Sequence, residues 1–322
     1  MYKGRIRFTT PMLWFLGFIA VFALGGISGV LLAIPPVDFQ LHNSLFLVAH
    51  FHSTVIGGVL FGIFAGLNYW FPKFAGFRLN ERIGRYAVWS WIVGFFVAFT
   101  PLYILGLMGA TRRLDHYDGS KGWQPFYIMA LVGGLIIALG VALQIVQIIA
   151  SIIQRRHLVD ATGDPWDGRT LEWSVSSPAP SYNFAVIPRV ETRDAFWEMK
   201  RLHTQRHTHE GIHTPKNTAS GIYISIFAFL AGFAFVWEIN WLAVVSIISI
   251  IVCLIARTFN EDSEYIITAK EVEKMEEEHA DTVGTLHKSH NKDEEDMGLI
   301  EFVRIVLTWA FGVAKGILRG KR

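Results

Sequence analysis

A single cysteine, Cys253, occurs among 322 residues. One thiol excludes a disulfide framework, a thiolate zinc site and a cysteine-held iron–sulfur cluster. Charge is also scarce. Asp, Glu, Lys and Arg make up 17% of the chain and hydrophobic residues 52%, where an ordinary soluble domain carries roughly 25% charged residues. The net charge of +2 is too small to imply a polyanionic partner, and no nucleic-acid-binding pattern is present. Four long stretches contain no Asp, Glu, Lys or Arg at all: residues 11–34, 43–70, 86–110 and 125–153. No cleavable leader is legible. The start "MYKGRIRFTT" is basic, but the apolar run behind it is too long for a signal-peptide core and lacks a small-residue cleavage pattern.

What is present fits a bilayer. A membrane helix needs about 20 mostly apolar residues, and all four stretches meet that length. Two shorter runs, 221–237 and 241–256, are separated by "EIN" and read as a tight helical hairpin. The sequence therefore predicts an all-α, polytopic helix bundle of about six spans. Lys and Arg crowd the N-terminus, the 71–85 loop and the 154–220 segment, and are missing from 35–42 and 238–240. The positive-inside rule then places the N-terminus and the C-terminal tail in the cytoplasm. One loop breaks the pattern: 111–124 belongs outside, yet opens with "TRRLD".

The expected organisation has four parts. Residues 1–153 form a four-span part. Residues 154–220, rich in turn formers such as "DATGDPWDGRTLEW" and "SSPAPSYNF", form an ordered cytoplasmic connection. Residues 221–256 form a membrane hairpin. Residues 257–322 form a charged cytoplasmic tail, whose stretch 298–318 has Glu301, Arg304 and Lys315 breaking an apolar run. That stretch reads as an amphipathic helix in the membrane interface, with a seventh span as the competing reading.

The second long stretch holds "LVAHFHSTV", with His50 and His52 one residue apart. A helix turns about 100° per residue, so the two imidazoles lie about 200° apart. They cannot share one ion, but each can meet a different ligand on opposite sides. Haem suits this arrangement, being a flat apolar macrocycle that packs between helices and takes an axial imidazole. Phe51 falls between the two directions. The competing reading is a pair of structural histidines bonded to carbonyls or water, but intramembrane ionisable residues default to function. The other histidines lie in loops or tail. Among them "HTQRHTHEGIH" has metal-like spacings without a cysteine partner, and reads as a solvated loop, with adventitious zinc as the alternative.

Arg112 and Arg113 sit at the outer end of the third span, and His50 only about two turns from the outer end of the second. Arginine is a natural bidentate partner for carboxylates, so the pair could hold haem propionates. Snorkelling, or pairing with Asp115 and Asp118, is the plain alternative. Asp38 and His42, just before the histidine span, could complete a polar cap, or be ordinary loop polars.

"DFQLHNSLFLVAHFH", then a span, then "GLMGATRRL", then "TGDPWDGRTLEW" and "SSPAPSYNF", together resemble subunit I of the haem–copper terminal oxidases. The likeness is closest to bacterial ubiquinol oxidases of the cytochrome o type and covers about residues 1–270. The resemblance implies that His50 is the proximal ligand of the high-spin, oxygen-binding haem. It implies that His52 is one axial ligand of the low-spin haem, that Arg112 and Arg113 contact propionates, and that Asp38 and His42 lie above the high-spin haem. Two haems are thus expected, low-spin b or a and high-spin o or a. Asn43 stands where cytochrome c oxidases usually carry Asp, which favours the quinol branch over the cytochrome c branch.

The resemblance also implies that this chain corresponds to the C-terminal half of the subunit. The copper ligands, the second low-spin ligand and the proton-path and quinol-site residues belong to the other half. Expected partners are that N-terminal half, subunits II, III and IV, lipid, and ubiquinol and oxygen in the assembled enzyme, in a bacterial inner membrane. The assembled enzyme would oxidise ubiquinol, reduce oxygen to water and pump protons. The alternatives are an inactive truncated product, a non-enzymatic membrane scaffold and, within the family, cytochrome c oxidase subunit I; nitric oxide reductase, a cousin, ranks below them.

Overall fold

The structure, a computed structural model, describes residues 6–202 and 210–290. The proposed interfacial helix at 298–318 and His203, His207 and His209 lie outside the described residues. The chain divides into two compact units, one running through Pro180 and the other covering Ser181–Thr282.

The first unit holds α1 (Thr10–Leu32), α2 (Pro35–Leu41), α3 (Leu45–His52), a π-helical segment (Ser53–Leu60), α4 (Phe61–Ala75), α5 (Glu81–Leu107) and α6 (Gln124–Ile153). The α3, π and α4 pieces run on as one 31-residue span, Leu45–Ala75. The second unit holds α7 (Ala195–Leu202), β1 (Ile212–Pro215), α8 (Ser220–Val236), α9 (Asn240–Thr258), β2 (Glu264–Ile267) and most of α10 (Ala269–His290). Its two strands pair antiparallel, and Ile267, Val272 and Tyr182 form a small core there.

Among the described residues, five helices are long and apolar enough to cross a membrane: α1, the Leu45–Ala75 span, α5, α6 and α9. The sixth expected span, α8, has 17 residues. At 1.5 Å per residue it is about 26 Å long, just short of the roughly 30 Å hydrocarbon core. The predicted hairpin is present: the Ile239 N–H donates to the Ala234 carbonyl at 2.8 Å, and Glu238 turns the chain with a φ of 55°.

Helix ends follow local chemistry. Asn80 caps α5, its Oδ1 accepting from the Ile83 N–H at 3.0 Å. Glu81, one residue on, accepts from the Thr10 N–H at 2.9 Å and the Thr10 hydroxyl at 2.8 Å. One carboxylate thus lies in the first turn of α5 and at the start of α1, where helix dipoles favour negative charge. Helix α4 stops at Gly76, whose φ of 79° is the left-handed conformation of a glycine cap.

The core between α1, α4 and α5 is aromatic: Trp14, Phe61, Phe95 and Trp91 are buried together. Closer to α6, polar side chains link helices. Gln147 donates to Asn68 Oδ1 at 3.0 Å and to the Asn80 carbonyl at 3.2 Å, and the Asn80 N–H donates to Ser151 Oγ at 2.9 Å. Hydrogen bonds of this kind substitute for a hydrophobic driving force between membrane helices.

The segment after α6 is tied to the end of α4. Buried Lys73 donates to the carbonyls of Gly163 at 2.6 Å and Val175 at 2.5 Å, and lies 5.0 Å from the Trp173 ring centroid. Trp166 Nε1–H donates to the Tyr69 carbonyl at 2.8 Å.

Helices α5 and α6 cross at glycine. A Cβ on Gly133 would lie 2.1 Å from the Ala98 nitrogen and 2.6 Å from the Val97 carbonyl carbon. Backbone atoms cannot swing aside as a flexible side chain can. Gly133→Val should therefore push the helices apart and destabilise the protein by about 1–3 kcal/mol. A lowered melting temperature of the detergent-solubilised protein is the expected result; an unchanged one would contradict this crossing.

Candidate functional site: two imidazoles on one span

His50 and His52 end α3, and the π-helical segment opens directly behind them. Single π turns inside helices recur at functional sites. The two rings meet different neighbours, as a separation of about 200° requires.

His50 turns toward α1. Its Nδ1 lies 3.1 Å from the Gly25 carbonyl and 3.0 Å from Ser28 Oγ. The ring can lie there because Gly29 has no side chain: a Cβ would sit 2.9 Å from His50 Cε1. Gly57, in the π segment, brings the same two elements together, since its Cβ would lie 2.6 Å from Val21 Cγ1. Small residues at these positions let the two backbones approach.

His52 turns toward α5. Its ring stacks on Phe99 with centroids 4.6 Å apart and planes 23° from parallel, and Phe51 lies 4.3 Å away on the same ring. Its Nδ1 is 2.8 Å from the Val48 carbonyl, four residues back on its own helix. Both imidazoles are half-buried.

The carbonyls decide the tautomers. A carbonyl oxygen only accepts, so Nδ1 of each ring carries the hydrogen and donates. Each Nε2 then keeps its lone pair, the one through which an imidazole can bind a metal. This is the outer-shell arrangement that orients metal-ligating histidines.

Sequence reasoning missed the hydroxyls around His50. Ser28 Oγ is 2.9 Å from the Tyr103 hydroxyl, which is also 2.9 Å from Ser53 Oγ. Ser28 and Ser53 are buried at 3% and 0% exposure, on different helical segments. Hydroxyls inside otherwise apolar runs were the available signal, but nothing in their spacing joins α1, α5 and the π segment.

At the other end of α3, Asp38, His42 and Arg112 form a bonded chain through Asn43. His42 Nδ1–H donates to the Asp38 carbonyl at 2.7 Å, so its Nε2 accepts from the Asn43 amide at 3.1 Å. Arg112 donates from its guanidinium to Asn43 Oδ1 at 3.1 Å and from its backbone N–H to the Asn43 carbonyl at 2.9 Å. The Leu45 N–H donates to the Ala110 carbonyl at 2.9 Å, and Ser44 bridges to Thr111. Asp38 joins through its backbone only. Arg113 stands outside this chain, exposed, with a left-handed φ of 66° that points the next residue along a different path. Away from this site, His213 Nδ1 lies 3.7 Å from Glu264 across the small sheet, both exposed.

Fold and site together define a polytopic helical membrane protein that carries two imidazoles on one span, each bonded through Nδ1 to a backbone carbonyl. Residues 1–136 match the sequence profile of the family described as Cytochrome C and Quinol oxidase polypeptide I. Among curated relatives, "Cytochrome bo(3) ubiquinol oxidase subunit 1" of Buchnera aphidicola subsp. Acyrthosiphon pisum is 53% identical over 285 residues, covering 87% of this chain and 43% of the relative. "Ubiquinol oxidase subunit 1" of Acetobacter aceti is 50% identical over 286 residues, covering 87% and 43%. "Probable cytochrome c oxidase subunit 1" of Bradyrhizobium diazoefficiens is 48% identical over 283 residues, covering 86% and 42%. The chain thus spans less than half the length of these relatives.

The polar cap depends more on backbone than on side chains. Asn43→Ala removes the links to His42 and Arg112 but leaves the backbone bonds to Ala110 and Arg112. The stability to thermal unfolding should fall by no more than about 2 kcal/mol, the net worth of two typical hydrogen bonds. A much larger loss would mean that the amide, not the backbone pairing, holds this end together.

Proposed function

We propose that this chain is the C-terminal portion of subunit I of a haem–copper ubiquinol oxidase, and that its histidine span clamps two haems. The observation that carries the reading is the pair of imidazoles on opposite faces of one helix, each with Nδ1–H donating to a carbonyl and Nε2 keeping its lone pair. His50 serves the high-spin haem and His52 the low-spin haem. Haem of type b or a at the low-spin position, and o or a at the high-spin position, supplies electron transfer and, at the high-spin iron, oxygen binding.

The donor chemistry fits that group. Neutral imidazole is the usual haem ligand, and the apolar rings of Phe51 and Phe99 around His52 suit a macrocycle. Arg112, held by Asn43, and Arg113, free of that chain, present two guanidiniums for propionates at the outer end. Asp38 and His42 line the same end. Copper, the second axial ligand of the low-spin haem, quinol binding and proton uptake come from the N-terminal half of the subunit.

Within the assembled enzyme, with subunits II, III and IV, the reaction is ubiquinol oxidation coupled to reduction of oxygen to water and to proton pumping. The names of two of the three relatives above carry ubiquinol, and Asn43 favours the same branch. The distribution of Lys and Arg supports an inner-membrane topology with the N-terminus and tail in the cytoplasm. By role the chain divides into a four-span part (1–153), a cytoplasmic connection (154–220), a membrane hairpin (221–256) and a charged tail (257–322).

Two substitutions test the assignment in the assembled enzyme. His52→Ala should abolish the low-spin haem absorption spectrum, and an intact spectrum would refute its role. His50→Ala should abolish carbon monoxide binding at the high-spin haem while the low-spin bands persist. Retained carbon monoxide binding would remove His50 from the site.

A further inference from the structure

Three hydroxyls lie between His50 and its own helix, and their hydrogens can be counted. The contacts run His50 Nδ1 to Ser28 Oγ at 3.0 Å, Ser28 Oγ to the Tyr103 hydroxyl at 2.9 Å, the Tyr103 hydroxyl to Ser53 Oγ at 2.9 Å, and Ser53 Oγ to the Ala49 carbonyl at 2.8 Å. Ser28 Oγ also lies 2.9 Å from the Gly25 carbonyl. Each hydroxyl has one hydrogen to donate. Only two arrangements place a hydrogen in both serine–tyrosine contacts and also give the Tyr103 hydrogen an acceptor among these groups. In one, Ser53 donates to Tyr103, Tyr103 to Ser28, and Ser28 to the Gly25 carbonyl. In the other, His50 Nδ1–H donates to Ser28, Ser28 to Tyr103, Tyr103 to Ser53, and Ser53 to the Ala49 carbonyl.

We propose that the second arrangement holds, and that Tyr103 and Ser28 are positioning residues that tune His50 as a ligand. This rests on the reading of His50 as an axial ligand. The chain then leaves the imidazole, crosses α1 and α5, and returns to the carbonyl of the residue just before His50. Every link donates in the same direction, so each polarises the next, and the low dielectric of the bundle interior strengthens the effect. Both serines are buried, so water does not compete. The Tyr103 ring is held edge-on against Phe46, with centroids 4.9 Å apart. The Gly25 carbonyl, at 3.1 Å from Nδ1, shares the imidazole hydrogen. In the first arrangement that carbonyl already takes the Ser28 hydrogen, and Ser28 competes with the imidazole for it.

The two arrangements have opposite consequences for Nδ1. A stronger Nδ1–H···O bond makes Nε2 more basic and its bond to iron stiffer. In the proposed chain, removing the Tyr103 hydroxyl weakens Ser28 as an acceptor and softens that bond. In the reverse chain, removal relieves competition at the Gly25 carbonyl and stiffens it.

The experiment is resonance Raman of the ferrous high-spin haem in the assembled oxidase, reading the iron–histidine stretching band. Tyr103→Phe should move the band to lower frequency and leave the low-spin haem bands in place. Ser53→Ala, which is smaller and more distant, should move it less in the same direction and provides the reading if Tyr103→Phe fails to assemble. Ser28→Thr, which keeps a hydroxyl, should retain the native frequency better than Ser28→Ala. An unmoved band, or one moved to higher frequency, overturns the proposed chain. The His50→Ala variant separates the two claims. If it keeps the band, the ligand assignment falls and the chain falls with it. If it loses the band and Tyr103→Phe leaves it unmoved, only the chain falls.

Discussion

An imidazole inside a membrane must place its N–H on an acceptor, and that acceptor decides what the other nitrogen does. Two backbone carbonyls, Gly25 for His50 and Val48 for His52, fill this role. They differ in kind. Val48 is four residues back on the same helix, so the His52 bond is local and forms as soon as the helix does. Gly25 is on α1, so the His50 bond exists only once two helices have met. The close passage of α1 along α3 and the π segment, with glycines at 25, 29 and 57, is what the His50 geometry requires.

The same logic of small residues and paired polar groups runs through the rest of the first unit. Helices in lipid gain little from burying apolar surface against one another, so contact relies on close packing and hydrogen bonds. Gly133 lies against the backbone of α5, and the Asn68–Gln147–Asn80–Ser151 set joins α4, α5 and α6. Lys73 satisfies its charge with carbonyls of the following loop instead of a carboxylate contact. That makes the loop part of the same packed unit as the spans, at least through Pro180.

Much of the fold was legible. The absence of charge over four long stretches marked the spans, because a charged side chain in hydrocarbon is costly. The weak point was α8, where an apolar run of marginal length produced a 17-residue helix. At the site, the opposed directions of His50 and His52 follow from helical pitch alone. The polar residues between α2 and α3 and at the end of α5 were also recognisable, but their connection was not. In sequence Asn43 stands out only as a difference from the Asp usual in cytochrome c oxidases, while in the structure it bridges His42 and Arg112. Ser28, Tyr103 and Ser53 were not singled out, since a hydroxyl in an apolar run can equally satisfy itself on its own helix carbonyl.

By itself the sequence determined the quantities that depend on neighbours along the chain: which stretches are apolar enough to cross a bilayer, and how far apart two side chains point on one helix. It also determined the local bond that gives His52 its tautomer. Only the tertiary structure decided which helix each imidazole faces, because that depends on how α1 and α5 pack around the span. It alone placed a serine of α1, a tyrosine of α5 and a serine of the π segment within reach of one another. Contacts between residues 22, 75 and 50 positions apart arise from packing, and no periodicity along the chain encodes them.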